Sequence, residues 1–331
     1  MKTVSLSLAL QGGGAHGAFT WGVLNRLLNE SWIKIEGISG ASAGAMNAVM
    51  LAEGWRKNGA EGARQSLADF WYDVAAQDVG FEIPGEMKSS VTKWWQGAFQ
   101  YLSPYDVNLF DVNPLRDIIP KHVDFSKLQH ANSPIRLFIA ATEVSTGKLI
   151  LFENKELTTD HLLASACLPH VYKAIEINQK HYWDGGYSGN PAIFPLIHEC
   201  QSKDIMIVLL QPLQREALPT SKDDIDDRIT EIGFHSHFMR EMHAIATIRK
   251  VIGNRRWLLG KIEKRIKQLR THLLTNGDLL ASLSSETKFD NRKRFLDSLR
   301  EAGEDSADQW LQQHADNLGK SSSCHVEALF K

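Results

Sequence analysis

Cysteine is scarce in this chain. There are three, Cys167, Cys200 and Cys324, far apart and odd in number. Their spacing offers neither a disulfide framework nor a zinc site, and it suits a reducing compartment. Long apolar runs are missing too: none approaches the ~20 residues needed to cross a bilayer, so no transmembrane span is expected. Neither sign of charge dominates. Lys and Arg number 37 and Asp and Glu 39, for a net charge of -2, which removes any bulk attraction to nucleic acid. Internal repeats and low-complexity segments are absent. His235, His237 and His243 have no acidic or cysteine partners at ligand spacing, so no metal and no cofactor is expected.

What is present is an ordinary globular composition. The chain has 331 residues, 43% of them hydrophobic and 23% charged. That is enough for one large domain or two modest ones with a sizeable core. Met1-Lys2 followed by Thr3 to Leu10 has the outline of a signal peptide. Cleavage there would remove a strand that feeds a glycine loop, and no small-x-small site precedes the loop. The expectation is a cytoplasmic protein, with signal-independent export left open.

Two stretches carry chemistry. The first is Gly40-Ala41-Ser42-Ala43-Gly44, a Gly-x-Ser-x-Gly motif. It follows a strand-like run from Ile33 to Ile38 and precedes a helical run through Leu51. Strand, sharp turn and helix together present a serine at the turn's tip with a helix N-terminus behind it. By itself the motif also fits a tight turn with an idle serine. The second stretch is Gln11-Gly12-Gly13-Gly14-Ala15-His16-Gly17, between a predicted strand, Val4 to Leu10, and a predicted helix, Ala18 to Asn29. The amides of Gly12, Gly13 and Gly14 can form an oxyanion hole. The same loop can be read as Gly12-x-Gly14-x-x-Gly17, a dinucleotide fingerprint, with Glu36 near the distance expected of a ribose-binding acid. A plain structural connection is the third reading. The oxyanion reading leads because it also accounts for the serine turn.

Further along, helices are predicted from Ser42 to Trp55 and from Ala60 to Asp73. Residues 81–110 mix Pro and Gly with many aromatics, which suits either a lid or acyl-chain surface or an irregular insertion with buried rings. Strands are predicted at Ile135 to Val144, Lys148 to Phe152 and Asp204 to Leu210. A short helix capped at Thr158 or Thr159 ends in Ala164-Ser165-Ala166-Cys167-Leu168-Pro169. His181 to Gly186 places Asp184 at a strand end before Gly185 and Gly186, either as a hairpin turn or as a carboxylate at the serine's rim. From about 223 to 320 the sequence reads as charged helices. Within it an apolar stripe from Trp257 to Leu273 lies opposite a basic face. Such a helix serves as a core-facing element or as a peripheral contact with an anionic membrane. Residues 321–331 read as a tail.

Taken in order, Gly12 to Gly17, Gly40 to Gly44, Ala164 to Pro169 and Asp184-Gly185-Gly186 resemble the patatin-like phospholipase family, and bacterial members in particular. The resemblance covers roughly residues 4–212. It implies a three-layer α/β/α sandwich with a mostly parallel central sheet, followed by a C-terminal helical region outside the shared core. It also implies a lipid acyl hydrolase of the phospholipase A type, acting on phospholipid or another acyl-ester lipid. Ser42 would be the nucleophile, Asp184 the base, and Gly12, Gly13 and Gly14 the oxyanion hole, with Gly17, Gly40, Gly44, Gly185 and Gly186 shaping the turns. One position departs from the family: His16 stands where many members carry Arg or Lys, so a titratable group replaces a fixed charge.

Two further questions stay open at this level. A Ser-Asp-His triad would need a histidine after Asp184, and His198, His235, His237 and His243 are the candidates. The other functions that fit are a dinucleotide-binding oxidoreductase and a non-catalytic lipid-binding module on the same fold.

Overall fold

The computed structural model describes residues 2–77, 103–108, 111–130, 133–215, 218–253 and 259–325. Most of the aromatic stretch at 81–110, with its candidate lid, lies outside the described residues, as do Trp257, Leu258 and the end of the tail.

The sequence Val-Ser-Leu-Ser-Leu-Ala-Leu alternates large and small side chains, and it forms β1 (Val4–Leu10). Leu6, Leu8 and Leu10 enter one core and Ala9 the other, as the two-residue period of a strand requires. β1 lies between β2 (Ile33–Gly40) and β7 (Asp204–Val208), parallel to both. β8 (Arg270–Leu274) extends the parallel set beyond β7, and β3 (Arg136–Glu143) extends it beyond β2. The rest of the sheet is antiparallel. β4 (Leu149–Glu153) and β6 (Lys180–Asp184) both pair with β3, and β5 (Ile175–Ile177) pairs with β6.

One detail of register matters for function. β2 pairs with Arg136 to Ile139 of β3, and β6 pairs with Ala141 to Glu143. β4 takes the opposite edge from Phe138 to Thr142. A strand residue has one partner on each edge, and Ala141 faces both Ile150 and Asp184. β2 and β6 therefore share one edge of β3 and meet end to end near Ala140. The residues that follow Gly40 and the last residue of β6 are thereby brought to the same place.

Helices cover both faces. On one side lie α1 (Gly17–Leu27) and α2 (Ala43–Ala76). The two helices predicted over 42–73 are the halves of α2, separated by non-helical Asn58 and Gly59. The short α3 (Pro104–Val107), α4 (Leu115–His122), α5 (Phe125–Leu128) and α6 (Thr159–Ser165) follow. The other face is covered by α7 (Phe194–Glu199), α8 (Lys222–Ile252) and α9 (Lys261–Gln268), which bury Leu196, Phe238, Met242 and Ile266 against Ile205 and Ile207.

The C-terminal part is helical, with α10 (Gly277–Ser282) and α11 (Lys293–His314), but it also supplies β8 to the sheet. The apolar stripe predicted as one helix from Trp257 to Leu273 is broken at Leu269, and its last residues become that strand. Pairing with β7 overrides the helical spacing here. The basic face is partly occupied: Arg265 donates to the carbonyls of Ile197, Cys200, Gln201 and Ser202, around the end of α7. Among the described residues no helix is long and apolar enough to cross a membrane.

Candidate active site

The strand-to-helix turn after β2 is sharp. Ser42 has φ 53° and ψ -124°, a region that costs a non-glycine residue about 1–3 kcal/mol. Several contacts hold it there. The Ser42 N–H donates to the carbonyl of Ser165 at 3.1 Å and to its Oγ at 3.0 Å. The Gly44 N–H closes the turn on the Ala41 carbonyl at 2.8 Å. The glycine loop lies against it. A Cβ at Gly12 would stand 2.6 Å from the Ala41 oxygen and 2.8 Å from Ser42 Cβ, so only glycine permits this approach.

Asp184 ends β6, and it is not the first corner of a hairpin. The β5–β6 turn falls at Asn178 and Gln179, and a short 3-10 turn at Gly185–Tyr187 follows Asp184. The Asp184 backbone is fixed from two sides. Its N–H donates to the Cys167 carbonyl at 2.8 Å, and its carbonyl accepts from Thr142 Oγ1 at 2.8 Å. The side chain is 1% exposed. Oδ1 accepts the Gly186 N–H at 2.6 Å, and Oδ2 has no hydrogen-bond partner among the described residues. Burial pushes this carboxyl up to about 7, against the opposing pull of the Gly186 N–H and the Ser42 hydroxyl. A carboxylate so placed is a much stronger base than one in water.

The predicted oxyanion loop is only partly free. The Gly12 N–H is already donated to Asn190 Oδ1 at 2.7 Å, so Gly12 braces the loop and its amide is unavailable to a ligand. No described residue accepts the N–H of Gly13, Gly14 or Ala43. Gly14 takes φ +58°, and a Cβ there would collide with the Lys288 carbonyl. His16 is buried, its Nε2 lies 2.7 Å from Thr287 Oγ1, and burial together with Lys288 lowers its pKa to about 4. It is neutral at pH 7 and supplies none of the positive charge that Arg or Lys would bring.

Two cavities open on either side of Ser42. One, of about 250 Å³, is largely apolar, with Met46, Phe70, Trp71, Val74, Ile118 and Tyr172 in its wall. The other, of about 260 Å³, is also mostly apolar in its lining but gathers the acidic and amide groups of Asp184, Gln211, Asp227 and Glu286 beside the glycine loop. Together they place an apolar wall on one side and a set of acidic groups on the other, as an amphiphile needs.

The rival assignments fare differently. His198, His235, His237 and His243 line neither cavity. His235 is buried with both ring nitrogens unpartnered among the described residues, and burial pulls it to about 4. The Cys167 thiol is pushed up to about 12 by burial, which makes it a poor nucleophile. Glu36, which the dinucleotide reading needs, accepts from Ser5 Oγ at 2.9 Å and from the Ser202 N–H at 2.7 Å. It ties two backbone segments together and does not end its strand. Three residues near the site could not be picked out from sequence: Asn190, Ser165 as a partner of Ser42, and Lys288. Each acts across a large sequence separation, and only the Asn190-Pro191 pair after the Asp-Gly-Gly turn offered a local hint.

Comparisons with known proteins complete the picture. A search of curated proteins finds no match. Among solved structures, VipD from Legionella pneumophila is similar at 16% identity and a TM-score of 0.43, over 95% of this chain and 67% of that one. The heterodimeric ExoU–SpcU complex from the type III secretion system of Pseudomonas aeruginosa is similar at 15% identity and a TM-score of 0.34, over 99% of this chain and 74% of that one. A family model described as patatin-like phospholipase matches residues 8–197. That span runs from β1 into α7 and takes in the glycine loop, the Ser42 turn and Asp184, more than half of the chain, which therefore belongs to the patatin-like phospholipase family.

Proposed function

We propose that the protein is a lipid acyl hydrolase that cleaves carboxylic esters through Ser42 and Asp184. The observation that carries this reading is the buried Asp184 carboxyl, one oxygen of which lacks a partner among the described residues, beside a serine held at positive φ.

Ser42 Oγ attacks the ester carbonyl carbon while its proton passes to Asp184. The carbonyl oxygen takes the electron pair and becomes an oxyanion. The N–H groups of Gly13, Gly14 and Ala43 are the donors left to hold it, and the start of α2 adds its dipole. Collapse of this intermediate breaks the ester C–O bond, and the leaving alkoxide takes the proton back from Asp184. Water then loses a proton to Asp184 and attacks the acyl-Ser42 ester. The second collapse returns that proton to Ser42 Oγ and frees the fatty acid. The cavity walled by Met46, Phe70 and Trp71 suits the acyl chain, and the one carrying Asp184, Gln211, Asp227 and Glu286 suits the rest of the lipid.

A fluorophosphonate probe tests the nucleophile. The parent protein should label and Ser42→Ala should not, with turnover falling by about 10⁴-fold or more, as for other serine hydrolases stripped of the nucleophile. Equal labelling of both proteins, or none in the parent, would overturn the assignment. Running the probe with and without anionic phospholipid vesicles also reports whether a membrane surface is needed.

A further inference from the structure

The two cavities beside Ser42 share five residues, and two of them, Lys288 and Phe289, come from the far C-terminal part. The 3-10 turn at Ser285–Phe289, between α10 and α11, presses onto the glycine loop: the Lys288 carbonyl packs on Gly14 and Thr287 bonds His16. Lys288 lines both cavities and is the only Lys or Arg in either among the described residues. Its ammonium makes no ion pair with a described residue. Burial draws its pKa down, while Asp227 and Glu231 oppose that shift. A half-buried cation without a direct counter-ion is costly unless a ligand supplies one.

We infer that Lys288 is the residue that recognises a phosphate carried by the substrate, which makes the preferred substrate a glycerophospholipid in place of a neutral acylglycerol. The inference rests on the ester-hydrolase reading of Ser42. In a glycerophospholipid the phosphate is only a few bonds from the scissile ester. A lysine at the junction of the two cavities can therefore meet the phosphate while the acyl chain occupies the apolar side. His16 is neutral at pH 7, so the cation beside the glycine loop is Lys288, brought there from a distant part of the chain. Asp227 and Glu286 line the second cavity as well, so a headgroup with a positive far end fits better than a second anion. Phosphatidylcholine is the matching probe.

The test compares kcat/KM for phosphatidylcholine and for a diacylglycerol with the same chains, in the same mixed micelles, for the full-length parent, Lys288→Met and Lys288→Arg. Lys288→Met should lower the ratio of the two by at least tenfold, mainly through KM for the phospholipid, and Lys288→Arg should restore most of it. Lys288→Gln serves in place of Lys288→Met if the latter folds poorly by thermal melt. An unchanged ratio, or an equal loss for both substrates, overturns the inference while leaving Ser42 as the nucleophile. Competitive inhibition by inorganic phosphate that Lys288→Met relieves, with the ratio unchanged, would assign the lysine to free phosphate and also overturn it. Failure of the parent to hydrolyse either lipid or to label with fluorophosphonate would remove the ester-hydrolase reading itself.

Discussion

At the scale of single residues, the proposed chemistry depends on a cost and a shift. Ser42 is held in a backbone conformation that serine disfavours, and Asp184 is buried where a charge is disfavoured. Both departures are affordable only because the surroundings over-determine them: Ser165 binds the Ser42 amide, and Thr142, Cys167 and Gly186 fix Asp184. The Asp184 value of about 7 has two consequences. As the proposed base, Asp184 works when ionised, so kcat/KM should rise about tenfold per pH unit below pH 7 and level off above it. A midpoint near 4 in that profile would show that Asp184 is not the base. Stability should run the other way. The carboxyl titrates near 3.9 in the unfolded chain and near 7 in the fold, so the folded state binds the proton more tightly. Its contribution is full below pH 4 and is lost as pH rises to 7. Asp184→Asn should therefore be inactive and should melt several °C higher than the parent at pH 8, with no such gain at pH 4, as thermal melts at the two pH values would reveal.

At the scale of elements, the glycine loop is stabilised from both sides. Asn190 holds Gly12, and the Ser285–Phe289 turn packs against Gly14. That turn leads into α11, which lies along α1 in unusually close contact. Each helix gives up a side chain to allow it: a Cβ at Gly22 would collide with the Arg300 carbonyl, and one at Gly303 with the Phe19 carbonyl. Arg26 with Asp308 and Asn25 with Glu304 complete the seam. Gly303→Val should separate the two helices and cost roughly 3 kcal/mol, at the upper end for overpacked interiors. Urea unfolding would measure this. The helices themselves were legible from their apolar periodicity, whereas the closeness of this pair was not, because a lone glycine in a helix does not say which backbone it meets.

At the scale of the whole molecule, the C-terminal part completes the layers that the family-matched part begins. β8 covers the edge of β7, a strand buried along its full length, and α11 covers α1. A chain ending at residue 212 would expose both the edge and the apolar face, and an uncovered strand edge favours aggregation. We expect such a truncation to be insoluble or to lack a cooperative melt. Recovery of a soluble, folded 1–212 protein with parent-like circular dichroism would show instead that the C-terminal part is dispensable for the fold.

Sequence alone determined most of the strands and helices over the first 212 residues, though not the short β5 and α5, as well as the two glycine-flanked turns and the family to which they belong. Those features rest on local physics: two-residue and 3.6-residue periodicity, and backbone turns that need glycine. The tertiary structure decided what depends on which distant segments meet. β2 and β6 share one edge of β3, so Ser42 and Asp184 converge although 142 residues separate them in number. Asn190 occupies the Gly12 amide that the loop sequence offered to an oxyanion. Lys288 arrives at the same loop from beyond the matched family span. No local pattern encodes these contacts, because each is fixed by sheet register and by the packing of segments far apart in the chain.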